Sequence, residues 1–65
     1  MNNYIIFVNG RIVSNGFTVR EKAKASAQKK SSAYPKLVFE VVAEDVLSGC
    51  IHTIALYENG KDIWN

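Results

Sequence analysis

The stretch Thr18–Tyr34, Thr-Val-Arg-Glu-Lys-Ala-Lys-Ala-Ser-Ala-Gln-Lys-Lys-Ser-Ser-Ala-Tyr, decides what this chain can become. It is rich in Ala and Lys, both strong helix formers, and strand-like apolar sequence lies on either side of it. Thr18 and Glu21 have the spacing of a capping box: the Thr hydroxyl accepts from a first-turn N–H while the Glu carboxylate reaches back to the Thr N–H. Glu21 is the only acid of the stretch and falls in its first turn, whereas Lys29 and Lys30 come late, as the macrodipole favours. Pro35 disfavours helix at Tyr34. At about 100° per residue, Val19, Ala23, Ser26, Ala27, Ala33 and Tyr34 fall on one side. Small residues there let the helix lie close to a sheet. Lys30 falls in the middle of the same side, so either the helix frays before it or its ammonium snorkels past the sheet edge.

One helix leaves the rest of the chain to strands. Tyr4-Ile5-Ile6-Phe7-Val8 has strand composition. Asn9-Gly10 follows, the strongest short hairpin signal, because a type I′ turn needs positive φ at both central residues. Arg11–Ser14 is the return strand, and Asn15-Gly16 is a second turn or bulge. Beyond Pro35, Lys36–Ala43 is a third strand and Cys50–Glu58 a fourth, joined by a turn over Asp45–Gly49. Asn59-Gly60 is a third type I′ candidate, and Lys61–Trp64 can form a short fifth strand. The expected fold is α+β: a two-layer, antiparallel, four- to five-stranded sheet with one helix on one face, in the order β-β-α-β-β and as a single domain over residues 1–65.

Such two-layer folds bury one sheet face and wet the other, yet these strands are apolar on both. Ile5 and Phe7 alternate with Tyr4, Ile6 and Val8, and Leu37, Phe39 and Val41 with Val38 and Val42. One short helix cannot cover both faces. The uncovered one is expected to meet a second copy of the chain through Tyr4, Ile6, Val8, Val38 and Val42. The length of 65 residues points the same way. A core this small needs disulfides, metal or association. Cys50 is the only cysteine and His52 the only histidine, so neither a disulfide within the chain nor a metal site is expected, and no cofactor. A lone thiol suits a reducing cytoplasm. No apolar run approaches the roughly 20 residues of a membrane span, and no charged-then-apolar leader opens the sequence.

Catalysis has little to stand on. No nucleophile has a base at a recognisable spacing. His52, between Ile51 and Thr53, reads as a sheet-surface residue, and Cys50 beside Gly49 as a small core hydrophobe. Glu44-Asp45 reads as a solvated turn pair. The Asn-Gly dipeptides serve turns, since a phosphate-cradling loop needs several glycines at a helix N-terminus. Tyr57 and Trp64 are expected to meet across the last hairpin, as an aromatic clamp on the core or as a protein-binding hot spot.

The net charge of +2 is unevenly spread. Arg20, Lys22, Lys24, Lys29, Lys30 and Lys36 against Glu21 give residues 20–36 a net +5, and the rest carries −3. One side of the molecule should be basic and helical, the other acidic. Lys22 and Lys29 share one flank of the helix, Arg20 and Lys24 the other. Cations on an Ala-rich helix could track phosphates. Base stacking would further need an exposed aromatic, and Tyr34 is expected to pack instead. A solvated helix with solubilising lysines is the plain alternative.

The Asn-Gly hairpin, the Lys/Ala helix with Glu21, Ala23 and Ala27, Pro35, an apolar strand and the closing Tyr57-x-x-Gly60-Lys61-x-x-Trp64 together resemble small bacteriophage-encoded proteins. Among these the chain is similar to the β-β-α-β-β anti-CRISPR proteins, which use basic residues to occupy the nucleic-acid path of a CRISPR effector. The likeness covers most of the chain as topology, and Tyr57–Trp64 as sequence. An acidic C-terminal half departs from a uniformly basic inhibitor. The resemblance implies only a class, a non-enzymatic modulator of a host or defence protein complex in the host cytoplasm; the basic helix offers the expected contacts, Arg20, Lys22, Lys24, Lys29, Lys30 and Lys36. The alternative is a small oligomeric nucleic-acid-binding or regulatory protein using the same residues. A structural subunit is a third.

Overall fold

The computed structural model describes residues 2–64. Its elements are β1 (Asn2–Val8), β2 (Arg11–Phe17), α1 (Arg20–Ala33), β3 (Val38–Asp45), β4 (Ile51–Glu58) and β5 (Lys61–Asp62). The strands form one antiparallel sheet in the order β2-β1-β3-β4-β5, with α1 across one face, as the sequence leads one to expect. β1 lies between β2 and β3, so α1 carries the chain over β1 from one of its neighbours to the other.

Turn chemistry accounts for the two hairpin tips. Asn9 and Gly10 have φ of 52° and 77°, Asn59 and Gly60 of 53° and 78°. Both pairs meet the positive-φ demand of a type I′ turn, whose twist matches that of the strands it joins. Asn15-Gly16 is a bulge inside β2 rather than a turn. Pairing moves from Tyr4↔Phe17 to Ile6↔Ser14, one residue too many on β2, and Gly16 takes φ 85° there. Between β3 and β4, the Asp45 N–H donates to the Cys50 carbonyl (2.8 Å) and the Gly49 N–H to the Asp45 carbonyl (2.8 Å). Strand β3 starts and ends two residues later than expected, β4 starts one residue later and ends at Glu58 as expected, and β5 is shorter than Lys61–Trp64.

The helix begins later than its capping box implies. Val19 is the N-cap, in extended conformation and without a side-chain cap, and its carbonyl accepts from the Ala23 N–H (3.2 Å). Thr18 therefore stands outside the helix. The buried stripe is Ala23, Ala27 and Ser31, spaced four residues apart. Val19, Ala33 and Tyr34, at the ends of the expected face, are exposed. Beneath the stripe lie Tyr4, Ile6, Phe39, Val41, Ala43, Ala55 and Tyr57, with Val8, Phe17 and Ile54 packed at the margin. Small residues on both sides bring helix and sheet together, while Ile6 and Val41, fully buried, supply the bulk. An alanine at a buried aliphatic position of this kind typically costs about 2–5 kcal/mol.

This core overturns part of the expected association surface. Tyr4, Ile6 and Val8 lie under the helix and cannot line an open face. The antiparallel register pairs Ile5 with Val42 and Phe7 with Glu40, and directly paired residues share a face. Ile5 and Phe7, not Tyr4, Ile6 and Val8, therefore accompany Val38 and Val42. Alternation fixes the two faces within each strand; which phase of one strand meets which phase of the next is a property of register.

Candidate functional site

The cations do not form one patch. Lys22 and Lys29 are exposed and stand opposite the Ala23/Ala27 stripe, pointing away from the sheet. Arg20 opens the helix, and Lys36 follows it in the turn before β3; both are exposed. Lys24 and Lys30 are half-buried on opposite flanks of the buried stripe. The helix does not fray before Lys30. Its ammonium Nζ donates to Ser26 Oγ one turn back (2.8 Å), so the charge runs along the helix flank instead of entering the core.

Tyr34 is where the expectation fails most usefully. It is the C-cap residue, with φ −127° and ψ 73°, and its N–H donates to the Lys30 carbonyl (2.9 Å). Its side chain is 61% exposed rather than packed. On one side the ring borders a shallow depression of about 510 Å³ with Ala25, Ser26, Lys29, Lys30 and Ala33. On the other it borders an apolar groove of about 230 Å³ with Val8, Val13, Leu37 and Phe39. An exposed aromatic thus sits between lysines at the end of the helix. Pro35 is the sequence signal that could have placed it, because a residue forced out of helical geometry no longer follows the helical wheel.

Sequence reasoning also missed how the helix is anchored. Buried Ser31 donates from Oγ to the Gln28 carbonyl (2.8 Å) and accepts from the Gly60 N–H (2.9 Å). Gln28 Nε2 in turn donates to the Gly60 carbonyl (3.0 Å). The tip of the second hairpin is thereby fastened to the middle of α1, with both backbone polar groups of Gly60 satisfied.

The opposite face of the sheet carries Ile5, Phe7, Ile12, Val38, Val42, Ile51 and Leu56, interrupted by Glu40, Glu44, Thr53 and Glu58. Thr53 Oγ1 donates to Glu40 Oε2. At the loop end Leu47 is 90% exposed, and its N–H donates to Asp45 Oδ1 (3.0 Å), which lowers the Asp45 pKa below the ordinary carboxylate value. Cys50 is exposed in that loop and is not the core residue expected; His52 is exposed on β4. Among the described residues no group of three or more His, Cys, Asp or Glu could hold a metal, and no helix is long and apolar enough to cross a membrane. Tyr57 and Trp64 make no clamp. Tyr57 is buried opposite Asp62, whereas Trp64 lies two residues further on, is half-exposed and stands outside the core. Burial, followed by the charges of Asp62 and Glu21, raises the Tyr57 pKa. The chain matches no protein-family model, no curated protein and no solved structure.

Proposed function

We propose that this chain is a small non-enzymatic modulator that binds a host or defence protein complex through the outward side of α1, within the cytoplasm of the host cell. The observation that supports this reading is the position of Lys22 and Lys29: exposed, one face away from the buried stripe, and unneeded by the core. Arg20 and Lys36 extend the positive surface to either end of the helix. Lys24 and Lys30, half-buried, contribute charge at its flanks. The class of partner follows from the resemblance of the sequence to phage-encoded inhibitors.

A second reading, direct nucleic-acid binding, is favoured by Tyr34. An exposed ring beside Lys29 and Lys30 is what base stacking on a basic surface requires. The two readings separate by experiment. Lys22→Glu combined with Lys29→Glu should abolish partner capture and leave the fold intact, since exposed substitutions usually change stability by less than about 0.5 kcal/mol. Glu44→Lys with Asp45→Lys is the matched control. Wild-type-like capture by the lysine variant defeats the proposal. Binding to random single-stranded DNA that falls steeply with salt and is lost in Tyr34→Ala moves the assignment to nucleic acid.

A further inference from the structure

We infer that the open face of the sheet is a docking surface for a basic amphipathic helix supplied by another protein. Register aligns one row across the whole sheet: Ile12, Phe7, Glu40 and Leu56 are successive partners on β2, β1, β3 and β4. Ile63, whose N–H donates to the Leu56 carbonyl (2.7 Å), extends that row beyond β5. Ile5, Val42 and Thr53 form the next row, and Glu44 with Ile51 the one after. Val38, Glu58 and Lys61 close the other end. Five strands and about seven residues of strand length make a face of roughly 20 Å by 20 Å. Ile12, Val38, Ile51 and Ile63 are exposed on it, Ile5, Phe7 and Leu56 are half-buried and Val42 is buried among them, and contiguous apolar surface on a monomer is often functional. A shallow hollow of about 340 Å³, between Phe7, Glu40, Val42 and Thr53, lies within it.

Charge selects the occupant. Glu40, Glu44 and Glu58 stand on this face against Lys61 alone, so it is apolar and acidic together. A second copy stacked sheet on sheet at about 10 Å would set these carboxylates against their own kind. A helix with an apolar stripe flanked by Lys or Arg meets both features. A helix of about 14 residues is about 21 Å long and spans the face. The other side of the same sheet already carries a helix of that length, α1. The bound state would be three layers, helix on sheet on helix. This surface lies on the side of the sheet away from Lys22 and Lys29, so it stands or falls apart from the helix reading.

The test uses a fluorescently labelled synthetic peptide of about 14 residues, with Leu at helical spacing and Lys elsewhere, against the same peptide with Glu for Lys. Anisotropy at about 0.15 M salt reads the affinity. The Lys peptide should bind with micromolar Kd and the Glu peptide should not. Glu40→Lys with Glu44→Lys should weaken binding at least about tenfold, by turning attraction into repulsion. Ile12→Lys, at an exposed edge of the face, should weaken it several-fold while keeping the fold. Asp45→Lys with Asp62→Lys, on the helix side of the sheet, should leave it unchanged, as should Lys22→Glu with Lys29→Glu. Equal binding of the two peptides, or an equal loss in the off-face double variant, overturns the inference. So does sedimentation showing a dimer that Ile12→Lys dissolves, because a second copy then owns the face.

Discussion

The two hairpin tips of this molecule are the same dipeptide in the same conformation with different surroundings. Asn9-Gly10 and Asn59-Gly60 agree in φ to within a degree at each position. A Cβ built on Gly10 meets nothing within 4 Å, whereas one built on Gly60 falls 2.5 Å from Ser32 Oγ. The Gly10 turn only reverses the chain. The Gly60 turn also presses on α1, bonded through Ser31 and Gln28. Local turn chemistry is therefore equal in the two places, and any difference in their sensitivity to substitution measures tertiary docking alone.

Gly60→Ala is expected to be the largest of these effects, about 2 kcal/mol, from backbone strain and displacement of Ser32 together. Urea midpoints check it. The excess over Gly10→Ala should shrink in a Ser32→Ala background, where the nearest remaining atom, Ser32 Cβ, is 3.7 Å away and in ordinary contact. An excess that survives would place the strain elsewhere than Ser32. Ser31→Ala comes next. It removes the acceptor of the Gly60 N–H and should cost about 1–1.5 kcal/mol while leaving the first hairpin's amide protection unchanged. Gly10→Ala should cost about 1 kcal/mol, the left-handed penalty by itself.

The smallest effect is one of pH. The folded-state pKa of Tyr57, at the stem of the second hairpin, is raised, first by burial and then by Asp62 and Glu21. The unfolded chain thus ionises first, from about pH 10. Stability held below that pH is lost as pH rises through the folded value. Tyr57→Phe should flatten this part of the decline, read as the difference in midpoint between variant and wild type on going from about pH 9 to 11. Identical slopes would mean that the phenol is as easily ionised folded as unfolded.

The element list was legible because its signals are local. Asn-Gly marks turns through positive φ, a run of small residues marks the stripe that meets the sheet, and Pro35 marks the end of α1. What could not be read depends on several elements at once. Phasing Ile5 with Val42 requires the register between β1 and β3, which alternation within either strand leaves free. The bulge at Ile54, where Val41↔Ala55 gives way to Val42↔Thr53, shifts the phase of β4 partway along. In sequence Ser31 is one of three serines in the helical stretch; only its position above Gly60 makes it an anchor. Tyr34 departs from the helical wheel because α1 ends at Ala33, one residue before it.

Sheet order also sets a schedule for folding. Three of the four strand pairings join consecutive strands across a short connection, which closes on the microsecond scale. The fourth, β1 with β3, joins the two ends of a loop containing β2 and α1. Closing that loop costs entropy before any of its contacts form. The seam from Asn2↔Asp45 to Phe7↔Glu40 should thus be the slow event, with the three local pairings already present when it zips. Substitutions there, such as Ile6→Val, should slow folding, whereas those at the Gly60 tip should mainly hasten unfolding.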